Sequence, residues 1–256
     1  MKILVCLKQV PAKDAPLRLA ADQRSIREDV AFEINEPDAF ALETGLRLKE
    51  AHGGEVAAIT VGPARASQAL REALAKGADR AIHVTGDDAP RLDPYAAAEA
   101  ITRAIAGEKF DLILTGLQSD DAGFGQTGVI VAELQGAPHA TIIMQIEPAG
   151  ADRVRVKREL EGGFFQFVEL PTPAVLTIQS GISKIRYATL MGIKQAKNKP
   201  LTTVTLEEIG VNPSLNRQVV EKLFAPVKSK GTTMIEGGAK EQAAKLADIL
   251  RHQIRL

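Results

Sequence analysis

The sequence predicts an α/β protein: a mainly parallel, doubly wound sheet, lengthened by antiparallel strands and followed by a C-terminal arm. Three features point to it. Short, mostly unbroken aliphatic runs, as expected of strands buried on both faces, recur at residues 3–7, 55–61, 81–84 and 110–114. Segments of helical period separate these runs, and a chain alternating strand and helix in this way builds parallel pairs covered on both sides. After Pro138 the pattern changes to the alternation of half-exposed strands.

Taken in order, the first strand (3–7) is ended by Lys8-Gln9-Val10-Pro11. Residues up to Ala31 carry scattered charge without a sustained period, which reads as a long loop with an edge hairpin near 17–19 and 25–27. Asn35-Glu36-Pro37-Asp38 reads as a helix start, because proline suits the first turn and an Asn or Asp side chain can accept from free amides. Ala39, Leu42, Leu46 and Lys49 follow at helical spacing until His52-Gly53-Gly54 stops the helix. The second strand (55–61) is broken by Gly62-Pro63. Ala66, Ala69, Leu70, Ala73 and Leu74 form the apolar face of the next helix, with Gly77 after its end. A strand at 81–84, a helix opened by Pro94 and carrying Ala97, Ile101 and Ile105, and a strand at 110–114 complete the alternation.

The stretch after that fourth strand is the main candidate for binding. Gly116 ends the aliphatic run, and Gln118, Ser119, Asp120, Asp121, Ala122, Gly123, Phe124 and Gly125 lead into Gln126-Thr127-Gly128 and a second apolar segment, read as a helix. In a parallel sheet such a loop lies at the carboxyl end of a strand, where ligands bind. Glycines there let backbone N–H groups approach a phosphate, and the following helix start carries a partial positive charge. Gly123, Gly125 and Gly128 remove side chains, while Gln126 and Thr127 add donors. The alternative is an ordinary turn leading into a helix.

Beyond Pro138, residues 140–146, 154–159 and 164–168 read as strands, with Gly162-Gly163 as a turn. Residues 174–178 read as a last buried strand, the whole forming an antiparallel addition. Residues 183–200 carry Lys184, Arg186, Lys194, Lys197 and Lys199 with no acid among them. At their centre lies the apolar Tyr187-Ala188-Thr189-Leu190-Met191. A hydrophobic tip framed by charge is a common form of protein contact. A short helix is expected near 206–210. Residues 226–238 read as a linker, and Ala243, Leu246, Ala247, Leu250 and Ile254 mark one side of a final amphipathic helix. That gives a body at 1–225 and an arm at 226–256 that either covers a partner or folds back.

Composition narrows the function. The 256 residues are 45% hydrophobic, enough to fill a core, so disorder throughout is excluded. Lys and Arg number 32, as do Asp and Glu, and this zero net charge argues against a nucleic-acid binder that works by an overall field. Aromatic residues are 4% with no Trp, which weakens any base- or sugar-stacking platform. The lone Cys6 excludes an intrachain disulfide and suits a reducing compartment. The amino-terminal apolar run is too short for a signal segment, and no later run reaches membrane-spanning length, so a soluble cytoplasmic protein is expected, or a mitochondrial-matrix one in a eukaryote.

No catalytic set is visible. His52, His83, His139 and His252 stand apart, with neither metal spacing nor a neighbouring nucleophile, and no metal site is expected. The chain has no G-x-S-x-G elbow, phosphate loop ending in Lys-Ser/Thr, or G-x-G-x-x-G after its first strand. Asp120-Asp121 suits capping or a nucleotide hydroxyl better than a metal, because adjacent carboxylates converge poorly on one ion. An adenylating or ATP-hydrolysing enzyme would need a Ser-Gly-Gly-type loop where Lys8-Gln9-Val10-Pro11 stands. A nucleotide sensor without a redox partner would leave the apolar tip and the arm without a purpose.

Several segments, in this order, resemble the beta subunit of electron transfer flavoproteins: KILVCLKQVP, INEPDAFALETGLRLKE, VGPA, ALAKGADRAIHV, GLQSDDAGFGQTG, VKRELEGGFFQFVELPTPAVLT and IRYATLMGIKQAK. The resemblance implies an adenine nucleotide alpha-hydrolase-like fold and an obligate heterodimer whose alpha subunit holds most of the redox FAD. It also implies an AMP buried in this chain for a mainly structural role. Positions matching the family's nucleotide contacts are Cys6, Asn35, Glu36, Pro37, Asp38, Val61, Gly116, Ser119, Asp121, Gly123, Gly125, Gln126 and Thr127. By the same resemblance Leu190, flanked by Tyr187, Ala188, Thr189 and Met191, would insert into acyl-CoA dehydrogenases, and Glu159 would help control the mobile flavin domain. Electrons would pass on to a membrane quinone oxidoreductase, with no insertion of this chain into the membrane. Asn35-Glu36-Pro37-Asp38, Asp120-Asp121-Ala122-Gly123 and Met191-Gly192 depart from frequent family patterns. The electron-bifurcating branch, with a second FAD in place of AMP and hydride taken from NADH, is therefore the alternative, and AMP is preferred.

Overall fold

The computed structural model describes residues 1–226 and 231–254. Its strands are β1 (Lys2–Cys6), β2 (Gln9–Pro11), β3 (Phe32–Ile34), β4 (Glu55–Val61), β5 (Arg80–Thr85), β6 (Leu112–Gly116), β7 (His139–Pro148), β8 (Arg153–Glu159), β9 (Phe165–Pro171), β10 (Ala174–Ile178) and β11 (Leu201–Thr205). The α-helices are α1 (Glu36–His52), α2 (Ser67–Lys76), α3 (Pro94–Ala104), α4 (Thr127–Gln135), α5 (Leu190–Ala196) and α6 (Ala239–Ile249).

One nine-stranded sheet has the order β11-β5-β4-β1-β6-β10-β7-β8-β9, and β2 pairs with β3 in a separate ribbon. From β11 to β7 every pairing is parallel, while β7-β8-β9 is an antiparallel meander. The continuous aliphatic runs are explained by burial on both faces. Ile3, Val5, Val56 and Ala58 pack with Leu42 and Leu46 of α1 and Leu70 and Leu74 of α2. Leu4, Cys6, Ala57 and Ile59 pack instead with Ala98 and Ile101 of α3 and Val131 and Ala132 of α4. The doubly wound, mainly parallel sheet expected from the alternation is therefore present, with its antiparallel extension.

Four features differ from the expectations. The last buried strand, β10, is not part of the antiparallel addition: it lies parallel between β6 and β7, all five of its residues buried. A strand in the middle of a sheet needs an apolar side chain on each face, which its unalternating run supplies. Residues 9–11 and 32–34 form a short ribbon at the two ends of the long loop, too brief to show a period. The hairpin expected within that loop is present as a bridge between Leu19 and Ile26. Residues 206–210 are turns rather than a helix, and β11, just before them, is an edge strand on β5 whose Thr-rich sequence is partly exposed. Finally, the apolar tip runs into α5.

Candidate functional site

The sheet order creates a crevice. From β1 the chain winds outward through β4 to β5, then crosses back to place β6 on the other side of β1. Connections therefore leave the carboxyl ends of β1 and β6 in opposite directions, and the gap between them is where ligands bind in open α/β sheets. The first turn of α1 fills its base. Asp38, buried at 7% exposure, accepts from the Lys8 amide at 2.7 Å with Oδ2 and from the Gly116 amide at 2.9 Å with Oδ1. One carboxylate thus joins the two diverging strands. A Cβ at Gly116 would stand 2.4 Å from Asp38 Oδ1 and 2.7 Å from Pro37 Cβ, so this position needs glycine.

Asn35 fastens the loop after β6. Its side chain, 1% exposed, donates to the Gln118 carbonyl at 2.9 Å and accepts from the Asp120 amide at 2.9 Å. It is therefore spent on the loop and makes no cap to α1, contrary to the capping expected from the sequence. Lys8 Nζ donates to Asp121 Oδ1 at 2.7 Å and to Ser119 Oγ at 3.3 Å from across the crevice. Beyond Asp121 the loop is exposed, and Gly123 and Gly125 take φ of 66° and 62°, backbone that L side chains rarely adopt. The loop delivers Gln126 and Thr127 to the start of α4, where no side chain caps the free amides. Gly128 lets this helix rest on the sheet, since a Cβ there would lie 2.5 Å from Thr115 Oγ1 and 2.8 Å from Thr177 Cγ2.

On the other side of β1 the ends of β1 and β4 are joined by Thr60 Oγ1, which donates to the Leu7 carbonyl at 2.7 Å. Cys6 and Val61 end these two strands. Burial pushes the Cys6 thiol far up from its usual range, and the nearby Asp38 carboxyl adds to this, so the group stays a neutral thiol. Burial likewise pushes Asp38 up to about 7, and hydrogen bonds from the Lys8 and Gly116 amides limit the rise. Of the residues expected here, Cys6, Asn35, Pro37, Asp38, Val61, Gly116, Ser119, Asp121, Gly123, Gly125, Gln126 and Thr127 line the ends of β1, β4 and β6 or the loop above them. Glu36 pairs with a loop lysine, its Oε2 2.6 Å from Lys13 Nζ. Lys8 was missed, because a lysine ending a strand has the same sequence signature as a solvated one.

The apolar tip stands on a pedestal elsewhere. Tyr187 is 92% exposed, Leu190 89% and Met191 63%. Thr189 caps α5 by accepting from the Gly192 amide at 3.0 Å, and Ala196 at the far end of α5 is buried in the core beneath. Glu159 lies at the end of β8, where Oε2 accepts from Gln179 Nε2 at 3.2 Å. Near it Phe165 and Phe167 of β9 are exposed, under Lys157 Nζ at 3.9 Å and Arg155 Cζ at 4.6 Å respectively.

Among the described residues no cluster of His, Cys, Asp or Glu could hold a metal ion, and no helix is long and apolar enough to cross a membrane. A family model described as "Electron transfer flavoprotein domain" matches residues 24–209. Over 260 residues the chain is 41% identical to the electron transfer flavoprotein subunit beta of Methylophilus methylotrophus, with 98% of each chain covered. It is 32% identical over 263 residues to that of Bacillus subtilis, covering all of both chains. Identity is 33% over 263 residues to the acryloyl-CoA reductase electron transfer subunit gamma of Anaerotignum propionicum, covering 98% of each.

Proposed function

The chain belongs to the electron transfer flavoprotein family as a beta subunit, and on that premise we propose that it binds AMP in the crevice between β1 and β6. Subunits of this family carry electrons and perform no bond chemistry of their own. The observation that supports the nucleotide reading best is the path from the Asp38-joined strand ends, along a loop of left-handed glycines, to the uncapped start of α4. Backbone at Cys6 and Val61 would frame the adenine. Gly125, Gln126 and Thr127 would hold the phosphate on free amides.

The working assembly in this reading is a heterodimer with an alpha subunit that holds most of the redox FAD. Electrons arrive from acyl-CoA dehydrogenase-type flavoenzymes and leave to a membrane quinone oxidoreductase. The Anaerotignum relative is named for an acyl-CoA-type reductase, which supports that partner class. Leu190 is the proposed anchor. Burying one leucine contributes roughly 1.5–3 kcal/mol, enough to matter in a transient complex and too little for a permanent one. Glu159, beside the aromatic edge of β9, is placed in this reading against the mobile flavin domain.

Denaturing the purified heterodimer and separating the released nucleotides by chromatography tests the site. One FAD with one AMP per heterodimer is the expected result. Two FAD would assign the crevice to a second flavin, as in electron bifurcation, and one FAD alone would overturn the nucleotide reading.

A further inference from the structure

Glu43 is a carboxylate of α1 that is only 3% exposed, an expensive place for a charge unless every lone pair is used. Both oxygens are used, and mostly by the segment that precedes the apolar tip. Oε2 accepts from the Arg186 amide at 3.2 Å and from its Nε at 2.8 Å, while Oε1 accepts from Arg186 Nη2 at 3.2 Å and Arg47 Nε at 2.7 Å. Arg186 reaches on to Glu50, with Nη1 at 2.5 Å and Nη2 at 3.0 Å from its two oxygens. Arg47 Nη2 then donates to the Lys184 carbonyl at 3.1 Å. The backbone is thus held on both sides of Ile185, which itself packs on the core. Directly after this clamp the chain emerges at Tyr187, and it is caught again at Gly192, where a Cβ would come 2.2 Å from the Ala75 carbonyl oxygen of α2.

Resting on the docking reading of Leu190 given above, we infer that Arg186 and Glu43 are the positioning pair that holds the tip in its docking geometry. A buried ion pair is weak support for stability, because desolvation offsets much of its attraction. Its geometric effect is stronger: a forked guanidinium on a fixed carboxylate allows one orientation of the segment it carries. With the clamp closed, the five residues between Arg186 and Gly192 are strung between two fixed points, and docking does not have to order them.

The test uses the intact heterodimer and a purified acyl-CoA dehydrogenase reduced by its own acyl-CoA. If Arg186→Gln leaves the tip correctly placed a tenth of the time, apparent affinity falls about tenfold. Expected, then, is a KM for the dehydrogenase raised by about that factor, with the limiting rate and flavin content unchanged. Arg186→Lys, which keeps the charge and loses the fork, should show a smaller rise. Because the pair acts through the tip, Arg186→Gln on a Leu190→Ala background should cost nothing beyond Leu190→Ala alone. Two results overturn the inference: an unchanged KM in Arg186→Gln while Leu190→Ala raises it, or losses from the two substitutions that multiply. Should Arg186→Gln fail to assemble, the same cycle with Arg186→Lys gives the same decision. A silent Leu190→Ala removes the docking reading itself, a failure distinct from that of the clamp.

Discussion

At Asp38 burial and hydrogen bonding act in opposite directions, and burial wins: the folded carboxyl titrates at about 7 instead of its ordinary 3.8. Between those values the folded protein keeps a proton that the unfolded chain has lost. The group's contribution to stability is therefore complete below about pH 4 and is lost as pH rises through about 7. Asp38→Asn removes this titration, so the wild type should lose stability relative to the variant between pH 4 and 7, by at most about 1.4 kcal/mol per pH unit. Urea denaturation across that range checks it, and parallel profiles would place the titration elsewhere. The amide of an Asn would also face an N–H of Lys8 or Gly116, so the variant should be less stable by about 1–3 kcal/mol and, on the proposed nucleotide reading, retain less AMP. At this scale the sequence was partly legible. Gly116 and Gly128 stood out as glycines beside a loop, whereas Lys8 and Glu43 look like ordinary polar residues until a distant partner is placed against them.

Among the elements, β1, β4, β5 and β6 and the helices between them follow from local pattern, since each strand buried on both faces must be apolar throughout. Position within the sheet was less legible. β10 is as apolar as those strands, yet nothing in its residues states that it inserts between β6 and β7 rather than following β9. The pedestal is a second case: Leu190 to Ala196 read as a basic loop because the face that packs on α2 is made of Gly192 and Ala196, too small to mark a stripe. Close approach is what those small residues permit. Gly192→Ala should therefore push α5 off α2, at an overpacking cost of about 1–3 kcal/mol. Thermal melting would show the loss of stability. Electron transfer from a reduced dehydrogenase should slow with it, and a variant with an unchanged melting point and rate would show that α5 has room to move.

At the scale of the whole molecule, body and arm are built on different terms. Side chains of the body fill two apolar layers, one on each face of the sheet. In α6 no residue is buried, and Leu246 on its apolar side is 47% exposed. Ile254, expected on the same side, and residues 227–230 of the expected linker lie outside the residues described in full. We propose that the alpha subunit covers this arm. Deleting residues 226–256 should leave the melting temperature of the body nearly unchanged and weaken assembly with the alpha subunit, measured by sedimentation. Undiminished assembly would end that proposal. By itself the sequence determined the alternating α/β layout, the glycine-bearing loop after the fourth parallel strand and the apolar tip, because burial on two faces and turn chemistry are properties of neighbouring residues. Only the tertiary structure decided the strand order, the joining of β1 to β6 through Asp38 and the hold of Glu43 on Arg186. Those depend on groups far apart along the chain, whose pairing costs loop closure and leaves no periodic trace in either segment.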